Sequence, residues 1–333
     1  MTGDMQKNGN RVLHLTLEKC GSQWVRDVLT APEVVACSGL PHSGISINLG
    51  LCSRLEIPEG TFSGPIYAMN QWEWQYWKHL GDKAIVVLRD PRDVMISLMF
   101  SWLYSHGSND RIDLARQMLH ELPTNEEKVA RMIAIFGNGA WLRMYLTWFA
   151  GVDSDALVVR YEAMVVDQHS EFRKIFDWLG WNVSQETLEA VVNRLSFESR
   201  SGRKPGITDK FSHYRCGVAG DWRNHFTRKH GELWELLYPG FLFEIKYEKS
   251  NDWWHSLPDS RHDDSVAAKE SLGKPDTQTE LIDALQSKLR QLQQELVEKE
   301  KVIQDIINAR KGEVPVSRET FLDRLRGYLR KSE

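Results

Sequence analysis

The sequence lacks the features that would place it in a membrane, on nucleic acid or in an oxidising compartment. No stretch of its 333 residues is long and apolar enough to span a bilayer, and the N-terminal MTGDMQKNGN has no signal-peptide core. The net charge of -4 gives no bulk attraction to nucleic acid or acidic membranes. The cysteines at 20, 37, 52 and 216 show no paired spacing, so reduced thiols are expected. We therefore predict a cytoplasmic protein without a dedicated metal site.

Signals for β-hairpins are also scarce, which argues against an all-β fold. Short apolar segments instead alternate with helix-length segments, the pattern of parallel α/β units. The predicted strands are 11–17, 83–88 and 156–160, and the predicted helices are 23–29, 91–104 and 126–149. With 41% hydrophobic residues, the chain can bury one sizeable core. We predict an α/β fold with three α/β/α layers around a central parallel sheet, over residues 11–254.

The composition changes after Trp254. Residues 255–277 are polar and predict a flexible linker. A heptad-like series over 278–310 predicts a coiled-coil helix that makes a homo-oligomer; its members are Ile282, Leu285, Leu289, Leu292, Leu296, Ile303 and Ile306. The alternative is a helix that packs back on the main domain. Residues 318–331 predict a short basic amphipathic helix, which extends an oligomer interface or touches a partner or membrane surface.

The segment after the first strand is typical of an anion site. A strand that leads through a glycine-containing loop into a helix directs free backbone N–H groups toward one point. Lys19 adds a positive charge there, and Ser22 adds a hydroxyl donor. The ATPase sequence G-x-x-x-x-G-K-[ST] is absent, because Lys19 precedes Gly21. We therefore predict a P-loop-like phosphate-binding loop that does not serve ATP or GTP hydrolysis.

The second strand ends with Arg89, where nucleoside-triphosphate hydrolases place a metal-binding carboxylate. An arginine at this edge suits a fixed phosphate better than a metal ion. Ser97, two helical turns later, is a candidate to share that phosphate. The alternative role of Arg89 is a salt bridge to Asp90 or Asp93.

Several segments, in order, resemble the family of sulfotransferases that use 3′-phosphoadenosine-5′-phosphosulfate (PAPS). LEKCGSQW at 17–24 resembles the 5′-phosphosulfate loop Y-P-K-S-G-T-T-W, and VLRDPRDVMIS at 87–97 resembles the 3′-phosphate motif. YRCGVAGDWRNHFT at 214–227 is similar to the late segment R-K-G-x-x-G-D-W-K-x-x-F-T, and Tyr161-Glu162 matches Y-E-D. The resemblance implies transfer of a sulfuryl group from PAPS to a hydroxyl or amine, with adenosine 3′,5′-bisphosphate (PAP) as product and no metal.

The resemblance also implies roles for individual residues. Lys19 acts on the bridging oxygen and leaving phosphate; Arg89 and Ser97, with Arg215 and Gly217, hold the 3′-phosphate. The implied donor-binding set is Lys19, Cys20, Gly21, Ser22, Gln23, Trp24, Arg89, Ser97, Tyr161, Ser196, Arg215, Cys216 and Gly217. Plain core packing is the alternative for the aromatic members, Trp24 and Tyr161.

One departure from the family concerns the general base. Many members carry K-x-H before the 3′-phosphate motif, whereas this chain has Ala68 and Asn70 there. Asn70 cannot accept a proton at neutral pH. Glu73 is the first candidate base, and His42 and His106 are its rivals. The expected acceptor is a small molecule or carbohydrate, with Trp72 and Trp74 as candidate walls.

Two other functions remain open on these grounds. The missing K-x-H would fit an inactive nucleotide-binding scaffold that is oligomerised by the coiled coil. A P-loop kinase is the second alternative, and a magnesium requirement for turnover would favour it.

Overall fold

The computed structural model describes residues 11–48, 56–137, 140–151 and 153–261. The predicted coiled-coil helix at 278–310, the amphipathic helix at 318–331 and the linker beyond residue 261 lie outside this described part, and they stay predictions.

The core of the fold is a sheet of five parallel strands. Its strands are β1 (Val12–Thr16), β2 (Ile47–Asn48), β3 (Phe62–Tyr67), β4 (Lys83–Leu88) and β5 (Ala156–Arg160). Their spatial order is β2-β3-β1-β4-β5, and every neighbouring pair is parallel. The predicted α/β class with a central parallel sheet is confirmed. All three predicted strands are present, and β2 and β3 are added to them.

Helices connect and cover these strands. They are α1 (Ser22–Leu29), α2 (Pro32–Ser38), α3 (Gln71–Trp77), α4 (Pro91–Phe100), α5 (Asp110–His120), α6 (Asn125–Phe136), α7 (Ala140–Ala150), α8 (Tyr161–Val166), α9 (Gln168–Leu179), α10 (Gln185–Arg194), α11 (Phe197–Ser201), α12 (Arg228–Leu237) and α13 (Phe241–Glu244). Single turns of 3₁₀ helix lie at Asp221–Asn224 and Trp253–Ser256. No helix in the described ranges is long and apolar enough to cross a membrane.

Two helix predictions need correction. The single helix predicted over 126–149 is two helices, because α6 ends at Phe136 with Gly137 as its C-cap and α7 begins at Ala140. The helix predicted over 91–104 is α-helical only to Phe100 and continues as a π-helical turn over Ser101–Ser105. The amide of His106 closes this turn on the carbonyl of Ser101 at 2.7 Å.

Both faces of the sheet are buried, as expected for parallel strands. On one face, Val12, Ile85 and Val87 join a core cluster with residues of α1, α2, α9 and α10. The alternate strand residues, such as Leu15 and Val86, are equally buried. Helix α7 contacts the end of β4, where the Tyr145 hydroxyl donates to the Arg89 carbonyl at 2.5 Å.

Candidate active site

The carboxyl ends of β1, β4 and β5 meet at one edge of the sheet, and the segments that follow them surround a cavity of about 630 Å³. Ligands of open parallel sheets bind at this edge. The cavity is lined by all but one of the sequence-predicted donor-binding residues: Lys19, Gly21, Ser22, Gln23, Trp24, Arg89, Ser97, Tyr161, Ser196, Arg215, Cys216 and Gly217. Residues from five separate segments of the chain are therefore brought to one place.

The exception is Cys20. Its side chain is fully buried, and burial raises the pKa of its thiol to about 12. The thiol is therefore neutral and faces the protein interior, so only the backbone of Cys20 takes part in the loop.

The phosphate loop leads directly into helix α1. Gly21 precedes the helix with φ +78°, and no side chain caps the first amides. A Cβ at position 21 would lie 3.0 Å from the Tyr161 ring, so glycine is needed for space as well as for conformation. Lys19 also has positive φ, at 66°. The free N–H groups of the first helical turn therefore point to the cavity end of the loop.

Lys19 lies in a strongly positive environment. Burial, together with the charges of Arg89 and Arg215, lowers its pKa from 10.5 to about 8, and Glu18 partly opposes these effects. Three cations held near one another in this way are costly without an anion. The cavity therefore favours a ligand of high negative charge.

Arg89 is fixed from several sides. Its guanidinium lies 4.5 Å from the Tyr161 ring centroid and forms an ion pair with Asp93 at 3.3 Å. It also donates to the carbonyls of Lys19 and Val218, at 3.2 and 2.9 Å. The salt bridge weighed as the alternative role of Arg89 therefore exists, and it positions a side chain that still lines the cavity.

Asp93 connects the 3′-phosphate motif at 87–97 to the late segment at 214–227. Besides Arg89, it accepts hydrogen bonds from the amides of Gly220 and Trp222, at 2.6 and 2.8 Å. This buried carboxylate explains why two segments separated by more than 100 positions meet at the same wall of the cavity.

Arg215 is held by an ion pair with Asp221 and lies 4.7 Å from the centroid of Phe100. Nearby, Gly217 has φ +68°, and a Cβ there would lie 2.5 Å from the Phe197 ring. Phe197 follows Ser196, whose hydroxyl accepts from the Ser199 amide at 3.2 Å and begins α11.

Within the described residues, several buried donors of cavity-lining side chains have no hydrogen-bond partner. They include the Nε atoms of Arg89 and Arg215, the indole Nε1 of Trp24 and the Oγ of Ser101. A buried donor that lacks a partner costs about 1–3 kcal/mol. A bound nucleotide with phosphate and ring acceptors would satisfy such donors, so these atoms fit the predicted ligand.

Sequence reasoning missed Tyr67, at the end of β3. Its hydroxyl lies 3.1 Å from the Ser22 hydroxyl and accepts from the Gln23 amide group at 3.3 Å. Burial raises the pKa of Tyr67, so the phenol is neutral. The only sequence signal was its position before the altered K-x-H segment.

The structure does not bring Glu73 or His42 to the cavity wall. Glu73 belongs to a capping box of α3, in which its carboxylate accepts from the Asn70 amide at 2.8 Å while the Asn70 side chain accepts from the Trp72 and Glu73 amides. Both ring nitrogens of His42 are engaged, with the Gly64 carbonyl at 2.8 Å and the Gly44 amide at 3.0 Å.

The predicted tryptophan wall also has another role. Trp72 and Trp74 lie on α3, and neither lines the cavity. Trp74 is fully buried and its indole donates to Asp153 at 2.8 Å. The two tryptophans therefore belong to a helix, and Trp74 makes a core contact instead of forming a wall of the cavity.

Three histidines line the cavity: His106, His169 and His213. His106 ends the π-helical turn, and His213 lies two positions before Arg215. Burial and the charge of Lys19 lower the pKa of the imidazoles of His106 and His213. His106 was among the candidate bases from sequence, whereas His213 was missed because nothing in its neighbourhood distinguishes it from a surface residue.

Parts of the chain are similar to known proteins. Residues 77–239 match the family described as "Sulfotransferase domain". Sulfotransferase 2A2 of Mus musculus is 28% identical over 166 residues, which is 47% of this chain and 55% of that protein. Sulfotransferase 2A1 of Homo sapiens is 27% identical over 183 residues, 50% of this chain and 58% of that protein. The chain thus spans little more than half the length of the relatives it matches.

Among solved structures, mouse sulfotransferase SULT7A1 complexed with PAP superposes with a TM-score of 0.48. The two share 17% sequence identity, and the superposition covers 76% of this chain and 89% of that chain.

Proposed function

We propose that this chain, whose residues 77–239 belong to the sulfotransferase domain family, transfers a sulfuryl group from PAPS to a hydroxyl or amine of an acceptor. The observation that carries the proposal is the convergence of Lys19, Arg89 and Arg215 on one cavity at the N-terminus of α1. That arrangement provides separate cationic positions for the two phosphate-bearing ends of the donor.

The donor's two ends have distinct partners in this assignment. Lys19, with the free amides of the α1 N-terminus and the Ser22 hydroxyl, holds the 5′-phosphosulfate. Arg89 and Arg215, with Ser97, hold the 3′-phosphate. Trp24, Tyr161 and Ser196 line the remaining part of the cavity, where the adenine is placed.

Catalysis in such a site rests on positioning and electrostatics. PAPS supplies an activated sulfuryl group, which moves to the acceptor oxygen or nitrogen while the leaving phosphate gains charge. Lys19 and the helix N-terminus stabilise that charge, since they are fixed before the reaction in a partly desolvated site. Arg89 and Arg215 bind the nucleotide and thereby keep its 5′-phosphate beside Lys19.

The contacts of Arg89 argue against a kinase. The end of β4, where a P-loop kinase binds magnesium through a carboxylate, holds an arginine, and the nearby Asp93 is occupied by Arg89 and two backbone amides. In the described ranges, no group of three or more His, Cys, Asp or Glu side chains is arranged to hold a metal ion.

For the acceptor we propose a small molecule or carbohydrate, because the cavity volume of about 630 Å³ is typical of small-molecule sites. We also propose that the heptad series at 278–310 makes the chain a homo-oligomer; the regular apolar spacing in the sequence supports this.

The direct test is transfer of radioactive sulfur. The full chain is incubated with [³⁵S]PAPS and, in turn, 2-naphthol, a 3-hydroxysteroid, an n-alkanol, a methyl glucoside and a primary amine, without added magnesium. A labelled product that disappears in Lys19→Met supports the proposal. If PAP binds but no compound is labelled, the scaffold function is favoured. A parallel incubation with [γ-³²P]ATP and magnesium tests the kinase, which would be favoured by transfer of ³²P to one of these compounds.

A further inference from the structure

The residue that replaces the family's histidine is committed to structure. Asn70 is buried, and its side-chain oxygen accepts hydrogen bonds from the amides of Trp72 and Glu73, at 3.0 and 3.1 Å. The carboxylate of Glu73 is bound to the Asn70 amide in return. A proton acceptor for the acceptor substrate must therefore come from another element of the cavity wall.

His106 lines the cavity and follows the helix that carries the 3′-phosphate motif. Helix α4 begins two residues after Arg89, and its continuation passes Ser97 before the π-helical turn at Ser101–Ser105. A π-helical turn contains about one residue more than an α-helical turn, and one residue corresponds to a rotation of about 100° around the helix axis. The π-helical turn therefore decides which way His106 faces, and such turns are frequent at functional sites.

The backbone around His106 is fixed from a neighbouring helix. Arg116 of α5 donates to the carbonyls of Trp102 and His106, both at 2.9 Å, and forms an ion pair with Asp113 at 2.6 Å. The amide of His106 is bound to Ser101. These contacts hold the backbone of His106 in place, and its side chain is exposed at the cavity wall.

Burial and three charged side chains act on this imidazole. Burial and Lys19 lower its pKa below the ordinary 6.5, Glu18 opposes them, and Arg116 lowers it further. His213 also lines the cavity, and burial, Lys19 and His106 lower the pKa of its imidazole. At neutral pH the imidazole is therefore uncharged, the state that can accept a proton.

We propose that His106 is the general base that accepts the acceptor's proton, with Glu18 as the carboxylate that stabilises the resulting imidazolium. This inference rests on the proposed sulfuryl transfer. The acceptor oxygen forms a bond to sulfur while the bond from sulfur to the 5′-phosphate oxygen breaks. The electron pair leaves on that phosphate oxygen beside Lys19, the hydroxyl proton goes to His106, and His106 later releases it to water.

The test compares His106→Gln with two matched variants, His213→Gln and His42→Gln, in the full chain. Each is examined for the thermal shift produced by PAP, for [³⁵S]PAPS turnover with the acceptor panel, for PAPS hydrolysis with water as acceptor, and for the pH dependence of kcat. We expect His106→Gln to keep the PAP shift and to lose about 100- to 10,000-fold in kcat. In the wild type, kcat should rise with pH as His106 loses its proton and then level off; that acid limb should vanish in the variant.

Three results would overturn the assignment while the proposed function stands. The first is a His106→Gln enzyme that keeps both its kcat and the fall of kcat at acid pH. The second is loss of that fall at acid pH in His213→Gln or His42→Gln instead. The third is loss of the PAP-induced thermal shift in His106→Gln, which would make His106 a donor-binding residue. A wild-type chain that binds PAP but neither labels any compound nor hydrolyses PAPS overturns the proposed function, and the base assignment with it.

Discussion

The guanidinium of Arg89 lies 4.5 Å from the ring centroid of Tyr161, and both side chains line the same cavity. The arginine follows β4 and the tyrosine follows β5, so their contact depends on the parallel pairing of these strands. It orients the arginine toward the place assigned to the 3′-phosphate, while Asp93 fixes the other side of the guanidinium.

We expect Arg89→Ala to weaken PAP binding by about 10- to 100-fold, since hydrogen bonds to a charged group contribute about 1.5–3 kcal/mol. Calorimetric titration with PAP measures the change. Arg194→Ala, which removes an exposed arginine paired with Glu33 outside the cavity, is the control and should leave affinity unchanged. Equal losses in both variants would show that the effect is general and not due to the site.

PAP affinity should depend on pH through Lys19. Its pKa of about 8 in the free protein means that it is charged below pH 8 and neutral well above it. Only the charged form attracts phosphate, and bound phosphate raises its pKa. Affinity should therefore fall as pH rises from 8 to 9.5, by at most about tenfold per pH unit.

The measurement is calorimetric titration of PAP between pH 7 and 9.5, in buffers of different ionisation heat, so that proton uptake is detected directly. Lys19→Met should bind PAP more weakly and without the pH dependence. A wild-type Kd that is constant across this range would contradict the assignment of Lys19 to the phosphate.

Gly217→Ala should disturb the donor site by steric contact. The new Cβ would lie 2.5 Å from Phe197, which lines the cavity beside Ser196. We expect PAP affinity to fall at least about tenfold, because a shift of even 1 Å in a positioned group is costly. Gly39→Ala is the matched control: its φ is +70°, but nothing lies within 4 Å. Loss of PAP affinity in Gly39→Ala as well would point to backbone strain alone.

Arg92 should be important for stability and not for binding. It is fully buried, pairs with Asp90 at 2.7 Å and Glu248 at 2.5 Å, and lies 3.7 and 4.5 Å from the rings of Trp222 and Trp253. Arg92→Met leaves two carboxylates without their cation, so we expect a loss of about 3–5 kcal/mol in the free energy of unfolding.

Urea denaturation measures that loss, again with Arg194→Ala as a control that should not change stability measurably. An Arg92→Met protein as stable as the wild type would mean that Asp90 and Glu248 find other partners, or that hydrophobic packing of the methionine compensates for the lost ion pairs.

The sequence predicted the sheet strands and the residues that line the cavity better than it predicted the ends of the helices. Strands 83–88 and 156–160 were recognisable because they are continuous apolar runs. Strand β3 was missed because Gly64 and Pro65 interrupt its pattern; Gly64 is required there, since a Cβ would lie 2.7 Å from the His14 carbonyl. Residue spacing does not reveal such contacts between neighbouring strands.

The cavity-lining residues could be named in advance because each belongs to a motif with ordered neighbours. His106 could be named only as one of three candidate bases, since the choice among them depends on tertiary placement. Glu73 and Asn70 satisfy one another in a helix cap, and a single π-helical turn sets the direction of His106. Neither feature has a sequence signature strong enough to be recognised without the structure.

The most direct measurement of the central claim is thermal unfolding with PAP, adenosine 5′-phosphate and magnesium ATP as separate ligands, in the wild type and in Arg89→Ala. PAP at about 100 times its Kd should stabilise the wild type by about 2.7 kcal/mol, a shift of a few degrees in Tm. Adenosine 5′-phosphate, which lacks the 3′-phosphate, should stabilise it less, and Arg89→Ala should remove the difference. No shift with millimolar PAP, or a larger one with magnesium ATP, would contradict the assignment of this cavity to PAPS.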